Sequence, residues 1–248
     1  MPIYAELRGK TALITGGANG IGAAMVRAFH NQGACVCFCD VDVPAAKRLV
    51  REFDGEVEFF KVDLRKEGEI KQWISQVASR FKRIDALINN AAADPRIRLE
   101  DTTTKAWDDL VARNLRAFFL TSREASKWMT PGSSIINFSS ITFHTGPTPM
   151  TAYVSTKAGI IGFTRSLARE LGPRRIRVNV ISPGWIMTDR QLKQFVTPAV
   201  KRLIRSSQCI PDLIQPRDIA EVALFLASDA STALTGQEIL ADRGWAFS

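Results

Sequence analysis

Residues Thr11 to Gly22 read TALITGGANGIG, a five-residue apolar run followed by four glycines within seven positions. From Ile21 the apolar residues return at helical spacing and continue to Asn31. A strand that turns through glycines into a helix brings backbone close to a phosphate and aims the free N–H groups of the helix at it. A glycine cluster alone is a weak signal. Its position between a strand and a helix gives Gly16, Asn19, Gly20, Ile21 and Gly22 their meaning as a phosphate-binding turn.

The same alternation runs outward along the chain. Strands are predicted at Cys35–Cys39, Val57–Val62, Ala86–Asn89, Ser134–Phe138, Arg177–Ile181 and Gln237–Leu240. Helices are predicted near Pro44–Phe53, Glu67–Phe81, Thr104–Met129 and Thr151–Leu171. Continuous apolar strands suit a parallel sheet buried on both faces. Unbroken strand–helix alternation predicts an α/β fold, a Rossmann-like doubly wound sheet of about seven strands with helices on both faces. One domain is expected over 1–248, with ligands at the carboxyl ends of the strands. The polar, helical insertion 185–216 is a candidate substrate lid at that edge.

Hydrophobic residues make up 46% of the 248, enough for a core without disulfides or metal. Three of the four cysteines fall in Cys35-Val36-Cys37-Phe38-Cys39. Neighbouring thiols on one strand face lie about 6.6 Å apart, unsuited to a shared zinc, so they read as small buried hydrophobes and no metal is expected. There is no apolar run of membrane-spanning length and no signal-peptide pattern, so a cytoplasmic location is expected. The net charge of +8 is dispersed, as in Lys47, Arg48, Arg51, then Arg174, Arg175, Arg177, then Lys201, Arg202, Arg205. It reads as solvated surface, not a nucleic-acid interface.

Asp40 falls about 20 residues beyond the glycines, where a carboxylate can accept hydrogen bonds from an adenosine ribose. Its charge repels a 2′-phosphate and the glycine loop carries no cation, so NAD is favoured over NADP. A cap on the next helix is the alternative role for Asp40. Asp63 and Leu64 fall beside the expected adenine position, with an exposed turn as the competing reading for Asp63.

Tyr153 and Lys157 are four apart at the start of a predicted helix and share a face. A free phenol is a poor base at neutral pH, but an adjacent ammonium favours its ionised form. Ser140, thirteen residues earlier at the end of a strand, can hydrogen-bond the reacting oxygen. The pair alone is a coincidence of spacing; with the glycine loop and Asp40 it becomes a proton-transfer site.

With TGGANGIG at Thr15–Gly22, NNAA at Asn89–Ala92, Asn114, Ser139-Ser140, YVSTK at Tyr153–Lys157 and PGWIMT at Pro183–Thr188, the sequence resembles the short-chain dehydrogenase/reductase family over essentially its whole length. The resemblance implies a tetrad of Asn114, Ser140, Tyr153 and Lys157, with Asn114 anchoring a water and Lys157 also holding the nicotinamide ribose. It further implies cofactor contacts from Asn90, Ala91, Pro183, Gly184, Ile186 and Thr188, and a homotetramer. Ala92 stands where the family usually has glycine, which raises the question of a positive φ there.

Arg96, Arg98, His144, Trp185 and Arg190 follow strand ends and are candidate substrate readers, although surface roles compete for each. Such groups suit a hydroxylated or anionic substrate better than an acyl chain. His30 reads as structural. The patterns Asp94-Pro-Arg96, Ser140-Ile-Thr-Phe-His144 and Thr188-Asp-Arg190-Gln191, with the Gly244-Trp245 ending, resemble bacterial aldose 1-dehydrogenases, implying oxidation of a sugar at C1 to its lactone. An acidic sugar, another small polar alcohol, and a non-catalytic NAD sensor remain alternatives. The ending Trp245-Ala246-Phe247 is expected to pack in the core or against a neighbouring subunit.

Overall fold

In the computed structural model, which describes residues 2–247, β1 (Thr11–Thr15) is buried at every position. It can be so because it lies inside the sheet, between β2 (Cys35–Asp40) and β4 (Ile84–Asn89), with Leu13 opposite both Cys37 and Leu87. Adding β3 (Val57–Lys61), β5 (Met129–Phe138), β6 (Arg177–Pro183) and β7 (Glu238–Ala241) gives a seven-stranded sheet in the order β3-β2-β1-β4-β5-β6-β7. Every neighbouring pair is parallel. The order reverses direction between β1 and β4, opening a crevice at their carboxyl ends.

Helices α1 (Gly20–Asn31), α2 (Val43–Val50) and α10 (Pro216–Ala227) cover one face, packing Phe29, Leu49 and Leu224 over Ile14, Phe38 and Ile136. Helices α3 (Glu67–Phe81), α5 (Ala117–Ser126) and α7 (Thr151–Leu171) cover the other, over Leu13, Leu87 and Ile135. Cys37 and Cys39 are fully buried among these residues, and burial pushes the Cys37 thiol up to about 12. All four cysteines are free thiols. His30 packs its ring on Phe53 at a centroid distance of 4.6 Å.

The stretch expected as one helix over Thr104–Met129 is divided. α4 (Thr104–Val111) passes through a π turn at Ala112–Arg116 before α5 begins, and Met129 opens β5 instead of closing the helix. Met129 pairs with Ile84, and the register then shifts so that Ser134 opposes Ala86. Pro131 and Gly132, the latter at φ 91°, occupy the excursion between. Arg177 is a further correction to the expected solvated charges. It is buried, donating to the Leu226 carbonyl at 2.9 Å, the Ser231 hydroxyl at 2.8 Å and the Ser228 carbonyl at 3.0 Å. A buried guanidinium is tolerated because these carbonyls replace its water.

Beyond β6, α8 (Asp189–Gln194) and α9 (Pro198–Ser207) form the insertion, tied at its base where Ile186 bridges Ile214. A short helix α6 (Thr142–Thr145) leads from β5 toward α7. Among the described residues no helix is long and apolar enough to cross a membrane.

Candidate active site

A cleft of 1020 Å³ runs across the carboxyl edge of the sheet. One half is lined by Gly16, Asn19, Gly20, Ile21, Gly22, Asp40, Asp63, Leu64, Asn90 and Ala91. The other half is lined by Ser140, Tyr153, Lys157, Pro183, Gly184, Trp185, Ile186, Thr188, Arg96 and Arg190.

The turn after β1 is built for backbone proximity. Gly16 sits at φ 67°, and a Cβ on Gly22 would stand 1.9 Å from the Gly16 carbonyl oxygen, so no other residue fits there without moving the loop. Asp40 holds the turn from outside. Its Oδ2 accepts from Ala18 N–H at 3.0 Å, while Oδ1 accepts from Val41 and Asp42 N–H at 2.7 and 3.0 Å. The helix cap considered for Asp40 belongs to Asp42, whose side chain accepts from Ala45 N–H. Asp63 is engaged by Arg65, whose guanidinium holds its carboxyl down at about 2. Thr15 Oγ1 accepts from the N–H groups of Asn90 and Ala91, and Asn90 Nδ2 donates back to the Thr15 and Gly16 carbonyls. The ends of β1 and β4 are thereby locked together. Ala92 is not among the positive-φ residues, so its departure from glycine leaves the backbone unstrained.

In the other half, Lys157 Nζ donates to the Phe138 carbonyl at 2.8 Å and lies 5.5 Å from the centre of the Tyr153 ring. Burial pulls the Lys157 ammonium down to about 7, with the Asp94 carboxylate opposing it. Burial drives the Tyr153 phenol above its ordinary range, and Asp94 adds to this. A hydrogen bond with Ser140 and the Arg190 guanidinium pull it back. Asn114 lies behind the cleft wall, fully buried in the π turn. Its Oδ1 accepts from Ala93 N–H at 2.9 Å, and its Nδ2 donates to the Ala93 carbonyl at 2.8 Å.

Two expected substrate readers lie elsewhere. His144 turns away from the cleft to meet Glu238 of β7, Nε2 to Oε1 at 2.9 Å, because that carboxylate is buried and needs partners; Ser182 supplies the other. Arg98 is exposed and paired with Glu100. Arg96 lies over the Phe195 ring at 3.8 Å and the Trp185 ring at 5.5 Å. Arg190 is paired with Asp94. Within the Trp245-Ala246-Phe247 segment, Trp245 lines the cleft, Ala246 is buried and Phe247 is exposed. Asp94, Gln191, Thr142 and Met150 also line the cleft. Asp94, Thr142 and Gln191 lie within the aldose-dehydrogenase patterns without being assigned a contact, and Met150 carries no local signal.

The sequence pattern of the family described as enoyl-(acyl carrier protein) reductase matches residues 16–246. The chain belongs to the short-chain dehydrogenase/reductase family. It is 38% identical over 97% of its length to a probable galactose dehydrogenase of Rhizobium meliloti (strain 1021), covering 96% of that protein. It is 38% identical to a D-xylose 1-dehydrogenase of Caulobacter vibrioides (strain NA1000 / CB15N), over 98% of each chain. The crystal structure of a blue fluorescent protein from a metagenomic library in complex with NADPH superposes with a TM-score of 0.91 at 31% identity, over 97% of this chain and 99% of that one. As a member of this family the chain is an oxidoreductase acting on CH–OH groups with a nicotinamide cofactor.

Proposed function

We propose that the protein oxidises a neutral aldose at C1 to the aldonolactone, using NAD and Tyr153 as general base. The observation that carries this reading is the makeup of the cleft beside Tyr153. Trp185 and Trp245 offer flat apolar faces, while Asp94, Arg190 and Gln191 offer charged and polar edges. A sugar ring has the same two characters, C–H faces and hydroxyl rims. A fatty acyl chain would displace water from those polar edges and offer no hydrogen-bonding group in exchange.

The residues lining the glycine half fit a dinucleotide. Gly16 to Gly22 would hold its phosphates at the start of α1, Asp40 its adenosine ribose, Asp63 and Leu64 its adenine. Asn90, Ala91, Lys157 and the Pro183–Thr188 segment would hold the nicotinamide end. Asp40 carries a negative charge and its neighbour Val41 is 64% exposed, with no cation in the glycine loop to attract a 2′-phosphate. That supports NAD over NADP.

When bound, oxidised nicotinamide supplies a hydride acceptor and positive charge. Ser140 orients the C1 hydroxyl, and Tyr153 Oη takes its proton as the C1–H bonding pair departs and the C=O bond forms. Lys157 favours the phenolate, and Asn114 fixes the wall behind it. The segment 185–216 acts as the lid over the substrate half, within one catalytic unit spanning 1–248. Assembly as a homotetramer through α4 and α5 is supported by Trp107 and Phe119, which expose 39% and 45% of their surface there.

The test is a panel of aldoses, sugar acids and simple alcohols assayed with NAD and with NADP. Turnover of neutral aldoses with NAD, yielding lactone, is expected. Turnover confined to non-sugar alcohols, or to NADP, overturns the respective part.

A further inference from the structure

The loop after β4 carries a carboxylate that the tetrad does not use. Asp94 lines the same half of the cleft as Tyr153, its side chain 18% exposed. Its place is fixed from both directions. Asn114 clamps the N–H and the carbonyl of the preceding residue, Ala93, so the backbone entering Asp94 is held by the π turn. From the lid, Arg190 pairs with Oδ1, and Gln191 Nε2 donates to Oδ2 at 3.3 Å. Gln191 is held in turn by Trp185, whose indole N–H donates to Gln191 Oε1 at 3.0 Å.

We propose that Asp94 is the carboxylate that reads substrate hydroxyl groups beside the reacting carbon, with Arg190 serving as its counter-ion instead of as a binder of anionic substrates. The proposal rests on the aldose reading above. A carboxylate is acceptor-only when ionised, so it pairs with the hydroxyl donors of a sugar and repels a sugar acid. One cation beside it keeps the unit neutral, so a carboxylate or sulfonate arriving at Arg190 meets a charge already matched. Asn114 thereby acquires a second task as a positioning residue, since the clamp on Ala93 sets where Asp94 stands.

Neutrality also matters for the base. The charged groups lining this half are Lys157 on the helix of Tyr153, Asp94 and Arg96 on the β4 loop, and Asp189 and Arg190 on α8; Arg113 of the π turn, paired with Asp109, also lines the cleft. Asp94 raises the Tyr153 phenol and Arg190, acting less strongly, lowers it, so the two members of the pair oppose each other at the hydroxyl.

The experiment compares wild type with Asp94→Ala, Asp94→Asn and Arg190→Gln on an aldose, its 2-deoxy analogue and the corresponding sugar acid. NAD binding serves as the check on folding. Wild type is expected to favour the aldose over the deoxy sugar by about 10- to 100-fold in kcat/KM, the equivalent of one hydrogen bond to a charged group. Asp94→Ala should erase that preference, chiefly through KM. Asp94→Asn should move the rising limb of the pH profile to lower pH, and Arg190→Gln should move it higher. If Asp94→Ala folds poorly, Asp94→Asn carries the comparison through its reduced preference and its pH shift. A variant that keeps the full preference for the hydroxylated sugar overturns the role of Asp94. Selective loss of sugar-acid turnover in Arg190→Gln overturns the counter-ion role. Wild type that oxidises no aldose at all overturns the parent reading, and this one with it.

Discussion

Lys157 donates its ammonium hydrogen to the Phe138 carbonyl at 2.8 Å, so the cation beside Tyr153 is anchored to the end of β5 while almost wholly buried. Burial lowers its folded-state value to about 7 from 10.5. Between those two values the unfolded chain binds a proton that the folded chain lacks, so this group makes stability rise with pH across that window. Below about pH 7 it is charged in both states and its burial penalty is complete. In thermal melts without cofactor, wild type should gain stability relative to Lys157→Met as pH rises from 7 to 9. A pH-independent difference would refute the assignment.

Tyr153→Phe keeps the ring and removes the hydroxyl proposed as general base. Activity should fall by about 10²- to 10⁴-fold while NAD affinity stays near that of wild type. With only two tyrosines in the chain, tyrosinate absorbance can be assigned by subtracting this variant. Without cofactor, the Tyr153 signal should appear above the range of an exposed tyrosine, because burial holds the phenol protonated. Titration in the ordinary range would count against a buried, Asp94-facing hydroxyl.

Asp40 does two things that one substitution can separate in part. Asp40→Asn keeps one acceptor oxygen, for either the Ala18 N–H or the Val41 and Asp42 N–H groups, whereas Asp40→Ala removes both. Both should lower the NAD-over-NADP preference in kcat/KM by roughly 10- to 100-fold through loss of a charged hydrogen-bond acceptor. Both should lower the melting temperature, Asp40→Ala by the larger amount, since Asn still satisfies one of the two sets of backbone donors. Unchanged cofactor preference in both would remove Asp40 from the ribose site.

His144→Ala leaves the Glu238 carboxylate, whose side chain is 5% exposed, with Ser182 as its remaining side-chain partner. A loss of about 1.5–3 kcal/mol in denaturant unfolding is expected, with little change in KM for sugars. A large KM effect at unchanged stability would return His144 to the cleft.

The helix Glu67–Phe81 and the strand Thr11–Thr15 were legible, because helical spacing of the apolar residues marks the first and glycines close the second after Thr15. The π turn was not, since one extra residue in a helical run barely alters the period of its apolar positions. Asn90 and Ala91 came from the family resemblance, whereas the glycine loop, Asp40 and Tyr153 could be read from spacing, because strand ends bring such positions together in any doubly wound sheet. Asp94 and His144 could not. Each side chain takes its direction from a partner more than ninety positions away, Arg190 in one case and Glu238 in the other, and no local pattern encodes that pairing.

The π turn at Ala112–Arg116 also works as a phase adjuster. An α-helix advances about 100° per residue, so one residue gained or lost rotates everything downstream by that much. Upstream of the adjustment the helix must present Leu110 inward; downstream it must present Phe118 and Leu120, with Asn114 aimed at Ala93 between them. Because the π turn takes up its extra residue within its own wider turn, a single deletion there would restore regular winding with Leu110, Phe118 and Leu120 still facing inward and would disturb Asn114 instead. The chemistry and the core thus share one helix without sharing one rotational setting.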